Sequence, residues 1–71
     1  MAIKRGTNNK DTINGTAGDD IIFALNGNDL ITAGNGNDVV DAGAGDDTIV
    51  GGLGNDALLG GAGNDTITDN G

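Results

Sequence analysis

From position 11 to position 65 every ninth residue is an aspartate: Asp11, Asp20, Asp29, Asp38, Asp47, Asp56 and Asp65. Self-similarity at a fixed period governs the reading of the whole chain. Cut in nines from Gly6, the chain reads GTNNKDTIN, GTAGDDIIF, ALNGNDLIT, AGNGNDVVD, AGAGDDTIV, GGLGNDALL and GGAGNDTIT, without insertion to Thr68. The sixth slot is Asp in all seven pieces, and the eighth is always a branched aliphatic: Ile13, Ile22, Ile31, Val40, Ile49, Leu58 and Ile67. The fourth slot is Gly in six pieces, with Asn9 the exception, and the fifth is Asn or Asp in six, with Lys10 the exception. The repeats therefore occupy residues 6–68, between a lead-in of residues 1–5 and a tail of residues 69–71.

Slots seven to nine read as a very short strand with one side chain pointing inward. Slots one to six read as a turn, because Gly supplies backbone angles denied to other residues and Asn or Asp tolerates the left-handed region. One strand and one turn cannot close a coil. Two of each can, in eighteen residues, so the expected fold is all-β: a parallel β-solenoid with two nonapeptides per coil and about three and a half coils. Strands then stack about 4.8 Å apart. Asp11, Asp29, Asp47 and Asp65 form one column and Asp20, Asp38 and Asp56 the other.

Such columns are unstable by themselves. Like charges at coil spacing repel, and the chain carries eleven acidic residues, all Asp, for a formal net charge of −8. Fifteen glycines add to the entropy lost on folding. Low hydrophobicity with high net charge favours disorder, and a chain of 71 residues rarely stabilises itself through its core alone. There is no Cys to form a disulfide. A cation between neighbouring turns reverses the sign of the repulsion. The donors on offer are carboxylate and backbone oxygens, with no His or Cys, and all-oxygen sites of flexible geometry suit Ca²⁺ better than Mg²⁺. The chain is thus expected to be disordered without Ca²⁺ and to fold on binding it.

Composition also narrows the alternatives. Ser, His, Cys, Tyr and Glu are absent, so no catalytic constellation is visible and the chain reads as no enzyme. Three cations against eleven acids argue against nucleic acid as a partner. No apolar run is long enough to span a membrane, and Met-Ala-Ile-Lys-Arg has no apolar stretch behind its charges, so it does not read as an N-terminal signal peptide.

The phrases "GGLGNDALL" and "GGAGNDTIT" match every defined slot of GGxGxDxUx, with U a large aliphatic. "AGNGNDVVD" and "AGAGDDTIV" depart only at slot one, with Ala33 and Ala42. In these residues the chain resembles the RTX (repeats-in-toxin, hemolysin-type) calcium-binding nonapeptide family, over residues 6–68. The resemblance implies a parallel β-roll with Ca²⁺ sandwiched between turns one coil apart. It places up to about five ions: Asp11/Asp29, Asp29/Asp47 and Asp47/Asp65 on one edge, and Asp20/Asp38 and Asp38/Asp56 on the other. It further implies backbone carbonyls from slots two and four of the earlier turn and slots one and three of the later. At Asp47/Asp65 these are Gly43, Gly45, Gly60 and Ala62; at the other pairs they include Gly18, Gly27, Gly34, Gly36 and Gly51. The resemblance implies an extracellular location after export from a bacterium through a one-step (type I) channel. There the module assists folding and secretion, or adhesion, and accompanies a secreted enzyme in some relatives.

A second class of function is an ice- or surface-binding solenoid, for which one face offers Thr12/Asn14, Leu30/Thr32, Thr48/Val50 and Thr66/Thr68. Only the last coil gives Thr-x-Thr. The opposite face, with Ile21, Phe23, Val39, Ala57 and Leu59 around Asp41, reads as a surface for docking to a parent domain. Exposed strand edges at the ends of the stack add the expectation of end-to-end self-association. In the first repeat, Asn9 and Lys10 depart from the pattern, and the Asp11/Asp29 pair is the weakest candidate.

Overall fold

The computed structural model describes residues 2–69 and contains strands but no helix among them. The strands are β1 (Ala2–Arg5), β2 (Thr12–Asn14), β3 (Asp20–Phe23), β4 (Leu30–Thr32), β5 (Val39–Asp41), β6 (Thr48–Val50), β7 (Ala57–Leu59) and β8 (Thr66–Thr68). They form two parallel four-stranded sheets, β1-β3-β5-β7 and β2-β4-β6-β8. Successive strands alternate between the sheets, and each pairs with the strand eighteen residues on, as in Ile13↔Ile31 and Ile22↔Val40. This is a β-solenoid of about four turns. The repeat count alone gives three and a half, because the lead-in carries no repeat signature. Ala2–Arg5 nevertheless pairs in register with β3, with Lys4 opposite Ile22. Lys4 takes the inward slot of β1 and is half-buried, so its aliphatic stem can lie over the end of the core while the ammonium stays wet.

The core is a single file of eighth-slot side chains. Ile13, Ile22, Ile31, Val40 and Ile49 are buried, and Leu58 packs against them half-exposed. Burial fades toward β8, where Ile67 is 45 % exposed. Ala24, Ala33 and Ala42 join this core from slot one. These three alanines, which stand where the nonapeptide pattern has glycine, are therefore packing residues in the middle of the stack.

The turns divide into two kinds. From the third turn onward, slot four is glycine at φ of 96–112° (Gly27, Gly36, Gly45, Gly54 and Gly63). Slot two also takes positive φ there, at Gly34, Gly43, Gly52 and Gly61. A Cβ at these positions would run into the backbone of the previous coil, as at Gly36, where it would stand 2.6 Å from the carbonyl of Gly18. Leu25 fills slot two of the third turn and holds φ of 68° without being glycine. That region costs a branched side chain on the order of 1–2 kcal/mol, and Leu25 is 41 % exposed, so it recovers little by burial. Leu25→Gly is expected to stabilise the folded state by about 0.5–1 kcal/mol, seen as a rise in thermal midpoint of a few degrees. An unchanged or lower midpoint would show that Leu25 packs more than it strains.

Candidate metal centre

The fold stacks the sixth-slot aspartates as two columns. Asp20, Asp29, Asp38 and Asp47 are only 1 %, 2 %, 1 % and 1 % exposed; Asp11, Asp56 and Asp65 are half-buried. From Asp29 onward each carboxylate reaches back one coil. The N–H of Asp11 donates to Oδ1 of Asp29, Asp20 to Asp38, Asp29 to Asp47 and Asp38 to Asp56, all at 2.8 Å, and Asp47 to Asp65 at 2.9 Å. One oxygen of each acceptor is thereby spent on coil stacking. The other is not. Oδ2 of Asp29, Asp38, Asp47 and Asp56 is buried and accepts no hydrogen bond. Buried charge without a partner is among the costliest arrangements in a protein, and four recur here along the turns.

A second ladder runs the opposite way. The N–H of Asn37 donates to Oδ1 of Asp19, Asp46 to Asn28, Asn55 to Asn37 and Asn64 to Asp46, at 2.7–2.9 Å. The fifth slot therefore binds the following coil while the sixth binds the preceding one. In the sequence, slot five reads as part of the turn. Its preference for Asn or Asp in six of seven repeats was the available signal, since only these short side chains offer an oxygen at that reach. Lys10, the exception, is exposed and offers no acceptor.

The structure sorts the backbone positions implied by the resemblance. The carbonyls of Gly18, Gly27, Gly36 and Gly45 each abut the slot-four glycine of the next coil, and those of Gly34 and Gly43 abut its slot-two glycine. These six carbonyls lie at the contact between turns. Gly51 and Gly60 lie instead against Oδ2 of the aspartate of their own turn, Asp56 and Asp65. Ala62 is exposed. Among the described residues no three acidic side chains converge on a point. Any ion in these turns would draw on two carboxylates and the carbonyls between them, an oxygen-only set that fits the hard, flexible coordination of Ca²⁺.

Burial pushes the carboxyls of Asp29, Asp38 and Asp47 above the ordinary aspartate range, against the N–H bonds that would lower them. Asp20 moves down, held first by the Thr16 N–H. A carboxyl raised on folding favours the folded state below its unfolded value of about 3.9 and loses that contribution as pH rises through the folded value. Asp20 acts oppositely, losing its contribution as pH falls through its lowered value. With three groups against one, the metal-free chain is expected to gain strand content as pH drops from neutrality toward 4, which circular dichroism in chelator would follow. Metal binding should weaken over the same window, because the ligands must be ionised.

Two parallel sheets wound into a roll, with acidic turns stacked at one-coil spacing, define a parallel β-solenoid of acidic repeats. The family model for the RTX calcium-binding nonapeptide repeat (4 copies) matches residues 5–40 and 32–67. The chain belongs to this family, a structural calcium-binding repeat typical of secreted bacterial proteins and not a catalytic family. Comparisons with curated proteins and with solved structures returned no match. Among the described residues no helix is long and apolar enough to cross a membrane.

Proposed function

We propose that the chain is a calcium-dependent folding module of an exported protein, disordered at low Ca²⁺ and rolled up where Ca²⁺ is plentiful. The observation that carries this reading is the set of buried Oδ2 atoms on Asp29, Asp38, Asp47 and Asp56 that accept no hydrogen bond. Held between turns by Asp pairs eighteen apart and the glycine carbonyls beside them, calcium would neutralise those oxygens and join adjacent coils. Binding to the folded state alone adds RT ln(1 + [L]/Kd) per site, about 2.7 kcal/mol at 100 Kd. Such a switch suits export as an unfolded chain, with folding supplied by the calcium met outside. The module would assist folding of, or adhesion by, the protein that bears it, an enzyme among the alternatives.

Calorimetric titration at neutral pH tests the reading. Ca²⁺ is expected to bind at several sites per chain with a large heat of coupled folding, and Mg²⁺ at equal concentration to give little, since these turns do not impose octahedral geometry. Absence of Ca²⁺ binding would remove the reading. The ice- or surface-binding alternative gains nothing from the outward face of β2, β4, β6 and β8, where Leu30 and Val50 interrupt the threonines.

A further inference from the structure

The first two turns do not share the unmet acceptors of the later ones. Asp20 is as deeply buried as Asp38 and Asp47, yet both its oxygens are satisfied. Oδ2 accepts from the N–H of Thr16 at 2.7 Å, and Oδ1 from the Thr16 hydroxyl at 2.8 Å and the N–H of Ala2 at 3.3 Å. Asp11 repeats the pattern. The Thr7 N–H donates to its Oδ2 at 2.6 Å, and the Thr7 hydroxyl lies 3.0 Å from Oδ1 and 3.2 Å from Oδ2. Each threonine hydroxyl also accepts an N–H two residues on, from Asn9 and Gly18. Thr7 and Thr16 stand at slot two, which glycine fills in the last four repeats.

The backbone follows the side chain. No residue of Gly6–Asp11 or Gly15–Asp20 takes positive φ, whereas slot two does so in every turn from Leu25 onward. With slot two at negative φ, its N–H turns toward the aspartate. Slot one is crowded here as it is at Gly51 and Gly60: a Cβ on Gly6 would stand 2.6 Å from both Asp11 Oδ2 and the Ala24 carbonyl of the next coil, and one on Gly15 would strike Asp20 Oδ2 and the Ala33 carbonyl. Gly-Thr-x-x-x-Asp is thus a self-contained unit, present in the first two repeats and absent from the other five.

We infer that Thr7 and Thr16 are positioning residues that occupy Asp11 and Asp20 in place of an ion, so that the Asp11/Asp29 and Asp20/Asp38 gaps are metal-free and calcium enters only between Asp29/Asp47, Asp38/Asp56 and Asp47/Asp65. This rests on the calcium reading above and sets its occupancy. The N-terminal coil is joined to the stack by protein hydrogen bonds alone, and the calcium-dependent coils follow it. Five aspartate pairs in sequence therefore give three ions.

Ion counting on the whole chain decides it. Calorimetry and equilibrium dialysis with Ca²⁺ are expected to give three ions per chain. Asp20→Asn, which keeps one acceptor oxygen for the Thr16 N–H and presents an NH2 that the Thr16 hydroxyl can accept from, should leave that count at three and the folding midpoint within about twofold. Asp38→Asn should raise the midpoint at least tenfold or remove one ion. Thr16→Val, lacking the hydroxyl, should lower thermal stability while the count stays at three. Five ions per chain, or equal midpoint shifts for Asp20→Asn and Asp38→Asn, would overturn the inference and leave the calcium reading standing; no bound ion at all would overturn that reading instead. If Asp38→Asn does not fold, the wild-type and Asp20→Asn counts still decide.

Discussion

Chelation of calcium is expected to expand the chain about two-and-a-half-fold. The folded roll has a Cα radius of gyration of 10.4 Å, and an unfolded chain of this length follows about 2.0·N^0.6, or about 26 Å. The reason lies in the turns. Buried carboxylates stack at one-coil spacing, and Oδ2 of Asp29, Asp38, Asp47 and Asp56 lacks a hydrogen-bond donor. Against this the core sets one inward aliphatic per repeat, three slot-one alanines and no aromatic side chain. Small-angle scattering at neutral pH, with and without chelator, measures the change directly. A radius that stays near the folded value in chelator would mean that the two hydrogen-bonded ladders suffice to hold the coils.

Asp47→Ala is expected to be the most damaging single substitution among the aspartates. Asp47 belongs to two of the pairs assigned an ion, with Asp29 below and Asp65 above, and its Oδ1 accepts the Asp29 N–H at 2.8 Å. Losing two ions removes on the order of 5 kcal/mol at a calcium concentration of about 100 Kd. That is comparable with the whole stability of a small domain. Asp65→Ala removes one ion, or roughly half as much. Asp11→Ala removes none; its cost is the hydrogen bonds from Thr7. The calcium midpoints of folding should therefore rise in the order Asp11→Ala, Asp65→Ala, Asp47→Ala. Equal midpoints for Asp11→Ala and Asp47→Ala would contradict the pairing.

The period of nine made the fold legible because it fixed two things at once. The eighth slot named the inward side chain of each strand from Ile13 to Ile67, and two repeats per coil set the register of eighteen that the sheets adopt. β1 escaped because Ala2–Arg5 follows no glycine turn and places Lys4 where an aliphatic is expected; only its pairing with β3 reveals it. The aspartate columns were equally legible. What each carboxylate oxygen does was not, since the division between Oδ1 and Oδ2 arises only when one coil is laid on the next. The same holds for slot five, whose oxygen bonds the following coil, and for Ala33 and Ala42, which looked like departures and turned out to pack the core. Thr7 and Thr16 passed as unremarkable turn residues because a hydroxyl four positions before an aspartate carries no signal until the turn closes.

The central claim is that calcium and the roll form together. Far-UV circular dichroism across a calcium titration at neutral pH tests it most directly. The expected result is a disordered spectrum in chelator that converts to strand in one cooperative step, at the calcium concentration where ions bind. Full strand signal in excess chelator would contradict it.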